Sequence, residues 1–181
     1  MVEGCFSKAI ASPFERTIRM AKRYYLAYGS NLNMGQMKYR CPTAKTVGTA
    51  VLPNNTLTFR GSGSGYYLSV DPKIGGKVPV GVWEVTADDE AALDRYEGFP
   101  RFYSKAEVTL DVTPLQGGRP ARKKAFYYFM NEGSRLGLPS EFYLETCLQG
   151  YKDFGFDKRV LKRAVERVRR ALDERKWKYK D

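Results

Sequence analysis

Two short stretches of this sequence carry residues whose types and spacing suit chemistry. The first is Leu93-Asp94-Arg95-Tyr96-Glu97-Gly98-Phe99-Pro100, where Glu97 falls at the last turn of a short predicted helix that Gly98 should end. There the negative end of the helix dipole disfavours a further negative charge, and Tyr96, Phe99 and Phe102 are expected to shield the carboxyl from water. Both effects raise a carboxyl pKa toward the range useful for proton shuttling. A solvated glutamate beside a glycine cap has the same local sequence. The second stretch, Tyr25-Leu26-Ala27-Tyr28-Gly29-Ser30-Asn31-Leu32, begins as an apolar strand and breaks at Gly-Ser-Asn. It then re-enters a helical pattern through Asn33, Met34, Met37 and Tyr39. A strand that turns sharply into a helix leaves free backbone N–H groups, which favour an anion or a polarised carbonyl. An ordinary capped turn reads the same way.

The absence of histidine narrows the chemistry. It removes Ser-His and Cys-His dyads, His-ligated zinc and the usual general base. Acid–base work falls to carboxylates, tyrosines, lysines or cysteines. Cys5, Cys41 and Cys147 are widely separated and odd in number, which points to reduced thiols and a cytoplasmic location. No apolar run approaches the roughly 20 residues needed to span a bilayer, and the N-terminus lacks a signal peptide's continuous apolar core. No membrane partner, cofactor or metal is therefore expected.

The net charge of +11 sits at the ends of the chain. Lys158 to Lys180 carries eleven basic and three acidic residues, whereas Tyr24 to Asp157 carries fifteen against fourteen. The body is nearly neutral. A basic amphipathic helix at the C-terminus buries an apolar stripe through Val160, Leu161, Ala164, Val165, Val168, Ala171 and Leu172. Its charge is read as a solvated face, so nucleic acid is not the expected partner.

The elements that must position these residues follow from patterning. Residues 1–23 read as an N-terminal extension, with a capping box at Ser12-Pro13-Phe14-Glu15 and Phe6, Ile10, Phe14 and Ile18 at helical spacing. Met20 is an alternative start of translation. Pro42 stops the first helix of the body. Val47 to Leu52 reads as a strand, Pro53-Asn54-Asn55 as a turn and Leu57 to Arg60 as the returning strand. Gly61-Ser62-Gly63-Ser64-Gly65 lacks the Gly-Lys-Ser/Thr ending of a phosphate loop and leads into a strand, Tyr66 to Val70. It reads as a flexible hairpin loop that could border a site as a mobile lip. Further strands are expected over Pro79–Val85, Tyr103–Val112 and Arg122–Met130, with helices opening at Thr86 and Ser140 and running from about Lys158 to Trp177. Short strands joined by turns favour an α+β fold, a small mixed or antiparallel β-barrel with flanking helices.

Tyr-Gly-Ser-Asn-Leu on the first strand, followed downstream by a helix ending in Glu-Gly, resembles the gamma-glutamylcyclotransferase-like (AIG2-like) family. The likeness continues through Arg40-Cys41-Pro42, Tyr103, Tyr127-Tyr128-Phe129-Met130, Pro139-Ser140-Glu141-Phe142-Tyr143, and Gly150 with Gly155. It spans about Tyr24 to Phe156 and leaves both ends uncovered, giving a barrel domain over 24–157 and a basic helix over 158–181. The resemblance implies a small-molecule gamma-glutamyl substrate whose alpha-amino nitrogen attacks its own gamma-amide carbonyl. It implies release of 5-oxoproline and an amine or amino acid. It makes Glu97 the general base and then acid, and Tyr28, Gly29, Ser30, Asn31 and Leu32 the substrate cradle. Tyr103, Tyr128 and Tyr143 match pocket-lining positions and are equally readable as barrel core. The particular gamma-glutamyl compound and the oligomeric state do not follow from the sequence. A different class of function is a non-catalytic binding barrel whose basic helix docks on an acidic partner or nucleic acid.

Overall fold

The computed structural model describes residues 22–62 and 65–178. The expected N-terminal helix therefore lies outside the described residues, as does Cys5. β1 (Arg23–Ala27) is apolar and β-prone, and its last three residues are buried. A single 3-10 turn (Ser30–Leu32) then leads into α1 (Met34–Arg40), whose N-cap Asn33 accepts a hydrogen bond from the Gln36 N–H. Two long strands follow, β2 (Lys45–Ser62) and β3 (Gly65–Val85).

Here the sequence reading needs two corrections. The strands expected over Tyr66–Val70 and Pro79–Val85 are parts of one strand, β3. Pro53-Asn54-Asn55 does not reverse the chain. It is an irregularity inside β2, with a register shift between Pro53 and Asn55 and Asn54 at φ 54°. The segments on either side are one strand, and both pair antiparallel with β3 out to Ser62↔Gly65. Turn-type residues can make a bulge in place of a reversal, because proline lacks only its own N–H and asparagine tolerates positive φ. β2 ends at Ser62 and β3 begins at its partner Gly65, the pairing expected of two strands joined by a hairpin.

α2 (Ala87–Glu97) opens with a capping box between Thr86 and Asp89 and closes at Gly98, whose φ of 64° and ψ of 36° form a left-handed cap. β4 (Tyr103–Pro114) and β5 (Ala121–Met130) form a second hairpin, followed by the two-residue β6 (Arg135–Leu136) and α3 (Glu141–Asp153). Ser140 caps α3 by accepting from the Tyr143 N–H. Five strands close into a barrel in the order β3–β1–β5–β4–β2, with β2 pairing back to β3. The β1–β5 pair is parallel and the others are antiparallel. The fold is thus the small mixed barrel expected from the sequence.

Leu26, Phe59, Val78, Val80, Val82 and Phe126 fill the core. α3 packs on the 3-10 turn so closely that a side chain at Gly150 would come within 2.6 Å of the Asn33 nitrogen and the Leu32 Cβ. α4 (Arg159–Lys178) lays Leu161, Ala164 and Val168 against the barrel. Arg167 of this helix donates to the Leu57 carbonyl at 3.0 Å, fixing α4 to β2. No helix among the described residues is long and apolar enough to cross a membrane.

Candidate active site

One end of the barrel opens into a cleft of about 920 Å³. The 3-10 turn after β1, the C-terminal end of α2 and the loop after β5 all reach its lining. Glu97 stands at the centre of the arrangement. As the last residue of α2 it is turned inward by the Gly98 cap, and its Oε1 accepts from Asn31 Nδ2 at 2.9 Å. The same Asn31 amide group donates to Tyr25 Oη at 2.9 Å, and its Oδ1 accepts from Arg40 at 2.6 Å. The two stretches singled out in the sequence therefore meet through a direct hydrogen bond.

Burial pushes the Glu97 carboxyl up to about 7, with Arg40 and the Asn31 hydrogen bond pulling the other way. The protein that surrounds the carboxyl is largely tyrosine. The negative field of Glu97 contributes to raising the phenols of Tyr25, Tyr28, Tyr103 and Tyr128, which burial already holds far above neutrality. The shield expected from Tyr96, Phe99 and Phe102 is not what encloses it. Those three rings are exposed by 47%, 38% and 60%, and the enclosing rings come from the barrel wall.

The remaining sequence-named residues take distinct places. Tyr28, Gly29, Ser30 and Asn31 line the cleft. The N–H groups of Leu32 and Asn33 are consumed by the carbonyls of Gly29 and Ser30, so the open donors of this turn lie at its start. Leu32 itself does not line the cleft. Its side chain is fully buried beneath Gly150 and Gly81, where it holds the turn against α3.

Tyr103, Tyr128 and Tyr143 turn out to be both wall and core. Each lines the cleft with its ring while its hydroxyl is engaged by the protein. Tyr103 donates to the Leu68 carbonyl at 3.1 Å, and Tyr143 accepts from the Leu68 N–H at 3.0 Å. Tyr128 donates to Asp94 at 2.6 Å, and its carbonyl accepts from Tyr28 at 2.6 Å. Asp94 in turn pairs with Lys105 at 2.8 Å, fastening α2 to the β4–β5 hairpin.

Sequence reasoning missed Arg40 as a site residue. Its guanidinium holds Asn31, donates to Tyr96 Oη at 2.7 Å and lies 3.6 Å from that ring's centroid. It also bonds Gln36 one turn back. A usable signal existed, since long side chains on a helix lean toward its N-terminus, here toward the 3-10 turn. No group of three or more Cys, Asp or Glu among the described residues is arranged to hold a metal ion.

Residues 25–145 match the family model described as gamma-glutamyl cyclotransferase, AIG2-like. Among solved structures, the chain is similar to one titled gamma-glutamyl cyclotransferase, at 23% identity and TM-score 0.67 over 80% of this chain and 86% of that one. An uncharacterized protein from Homo sapiens matches at 24% identity and TM-score 0.66, over 79% of this chain and 86% of that one. YkqA from Bacillus subtilis matches at 18% identity and TM-score 0.61, over 87% of this chain and 56% of that one. At these identities the structural likeness establishes the fold. No curated protein matches the chain by sequence.

Proposed function

The chain belongs to the gamma-glutamyl cyclotransferase, AIG2-like family, and on that premise we propose that it cyclises a gamma-glutamyl compound. The alpha-amino nitrogen of the substrate forms a bond to its own gamma-carbonyl carbon, and the bond from that carbon to the departing nitrogen breaks. The products are 5-oxoproline and a free amine or amino acid, and no water is consumed. One observation carries the reading. A carboxyl raised to about 7 is hydrogen-bonded to the Tyr-Gly-Ser-Asn turn inside a cleft large enough for a small peptide.

Intramolecular ring closure brings its own nucleophile, so the protein needs no nucleophilic side chain. Its work is to hold the folded-up conformer, move protons and stabilise an oxyanion. The substrate's alpha-ammonium loses two protons over the reaction and the departing nitrogen gains two. A carboxylate that accepts and hands on protons in turn therefore finishes as it began. Glu97 is the group for that relay, because a base with a pKa near neutrality is poised both to take a proton and to return it. The open N–H groups at the start of the 3-10 turn suit the developing oxyanion or the substrate's alpha-carboxylate. Asn31 orients Glu97, and Arg40 orients Asn31.

The test is release of 5-oxoproline from a panel of gamma-glutamyl dipeptides and gamma-glutamyl-amines, with spontaneous cyclisation subtracted. Turnover by the native protein that is lost in a folded Glu97→Gln variant is the expected result. Near-native turnover by that variant would overturn the assignment.

A further inference from the structure

The cleft that holds Glu97 is bordered by several basic residues at its rim. Three arginines, Arg95, Arg101 and Arg135, are among its lining residues, against Glu97 in its depth and a single other carboxylate, Glu132. None of the three guanidinium groups forms an ion pair among the described residues. Several basic side chains elsewhere on the barrel are paired instead. Arg23, Arg60, Lys105 and Lys124 each sit within 2.8 Å of a carboxylate oxygen.

The rim is built, and it presents two of these arginines on a shared frame. Asn131 donates to the carbonyls of Pro100 and Arg101 at 2.8 and 3.1 Å, while its own N–H reaches the Phe102 carbonyl at 3.0 Å. Its carbonyl accepts from Ser134 at 2.8 Å, and the Ser134 carbonyl accepts from Arg60 at 3.0 Å. Arg135 is then held in register opposite Gly61 of β2. Arg101 lies over the Phe102 ring, 5.5 Å from its centroid. Asn131 thus ties the turn after α2 to the segment before β6, and each side contributes one unpaired guanidinium to the cleft mouth.

We infer that Arg101 and Arg135 bind a carboxylate carried by the departing half of the substrate. The chain then prefers gamma-glutamyl amino acids or peptides, which leave with a free carboxylate, over gamma-glutamyl-alkylamines. This rests on the cyclisation reading above. With the reacting carbonyl beside Glu97, the cleft floor is closed by Tyr25, Tyr28 and Tyr103, all buried. The substituent on the departing nitrogen has one direction left, outward to the rim. A guanidinium recognises a carboxylate by paired, charge-assisted hydrogen bonds, and a cationic amine tail there would be repelled.

The experiment compares kcat/KM for gamma-glutamyl-alanine, gamma-glutamyl-alaninamide and gamma-glutamyl-ethylamine, in the native protein and in Arg101→Gln/Arg135→Gln. The native protein should favour the acid over the amide by roughly tenfold or more, with the gap narrowing as salt rises. The double variant should lose most of that preference, through KM more than kcat. Equal native rates for acid and amide would overturn the inference, as would a variant that slows both equally. The latter is what arginines holding the alpha-carboxylate would give. Calorimetric binding of the acid and the amide to Glu97→Gln protein provides a second readout. A preference for the acid that disappears when both arginines are replaced supports the inference even if no compound is turned over, whereas equal binding, or none, overturns it. Absence of turnover with all three compounds counts against cyclisation itself, so the two failures are distinguishable.

Discussion

Replacing Glu97 by Gln should stabilise the protein at alkaline pH while abolishing its turnover. A carboxyl moved by burial from its ordinary 4.5 to about 7 binds its proton more tightly in the folded chain than in the unfolded one. Between those two values the unfolded state has released the proton and the native state has kept it. Stability therefore falls as pH rises, by about 1.4 kcal/mol per pH unit, and levels off once Glu97 ionises in the fold. The whole descent amounts to about 3 kcal/mol as a ceiling, because water in the cleft relieves part of the burial. Glutamine is nearly isosteric, and its amide carbonyl can still accept from Asn31, so the variant escapes this penalty without losing that hydrogen bond.

Urea denaturation of both proteins from about pH 4.5 to about pH 8 measures the effect. The difference in unfolding free energy should be small at the acidic end and grow in the variant's favour by up to about 3 kcal/mol at the alkaline end. The same ionisation sets the active form of the base, so native kcat/KM should rise along a limb centred at about 7. Activity and instability then climb together on one titration. A stability difference that stays flat with pH would refute the burial argument. A rate limb far from the stability midpoint would show that another group limits the reaction.

Two further perturbations test the supports of the site. Arg40→Met removes the charge that holds the Glu97 pKa down, so the rising limb of kcat/KM should move to higher pH. The fold should weaken by about 1–3 kcal/mol, because the buried Asn31 Oδ1 loses its donor. A pH–rate profile unchanged from the native one would count against Arg40 as a positioning residue. Gly150→Ala would place a methyl group 2.6 Å from the Asn33 nitrogen and 2.7 Å from the Leu32 carbonyl carbon, where backbone cannot step aside. It should cost about 1–3 kcal/mol in urea unfolding and lower turnover by displacing the 3-10 turn, while an unaltered midpoint would show that α3 is not seated on that turn.

What the sequence made legible and what it hid divide along a physical line. Features fixed by near neighbours in the chain were readable. Thr86 with Asp89, the Gly98 cap and the break at Gly-Ser-Asn each act within one turn, and each stands where the pattern placed it. Pro53-Asn54-Asn55 was misread because its outcome is decided by β3. The partner strand keeps pairing past the irregularity, and that pairing outweighs the local turn preference. The frame around Asn131 was invisible for the same reason, since its partners lie about thirty residues away.

Glu97 shows the division most sharply. The sequence placed it at a helix end and looked for its shield among adjacent aromatic residues. The enclosing tyrosines are Tyr25 of β1, Tyr28 just after it, Tyr103 of β4 and Tyr128 of β5, and the decisive point is where their hydroxyls go. Tyr28 donates to the Tyr128 carbonyl, Tyr103 to the Leu68 carbonyl and Tyr128 to Asp94, while Tyr25 receives the Asn31 amide. None of these bonds reaches Glu97. A carboxylate ringed by phenols that donated to it would be stabilised in its charged form and held low. Because Tyr28, Tyr103 and Tyr128 donate to other acceptors, their rings present Glu97 with little more than apolar surface, and Asn31 is the side chain that donates to it. The arrangement that commits the hydroxyls of Tyr28, Tyr103 and Tyr128 elsewhere is therefore also what helps to lift one glutamate into the range where it can both take and return a proton.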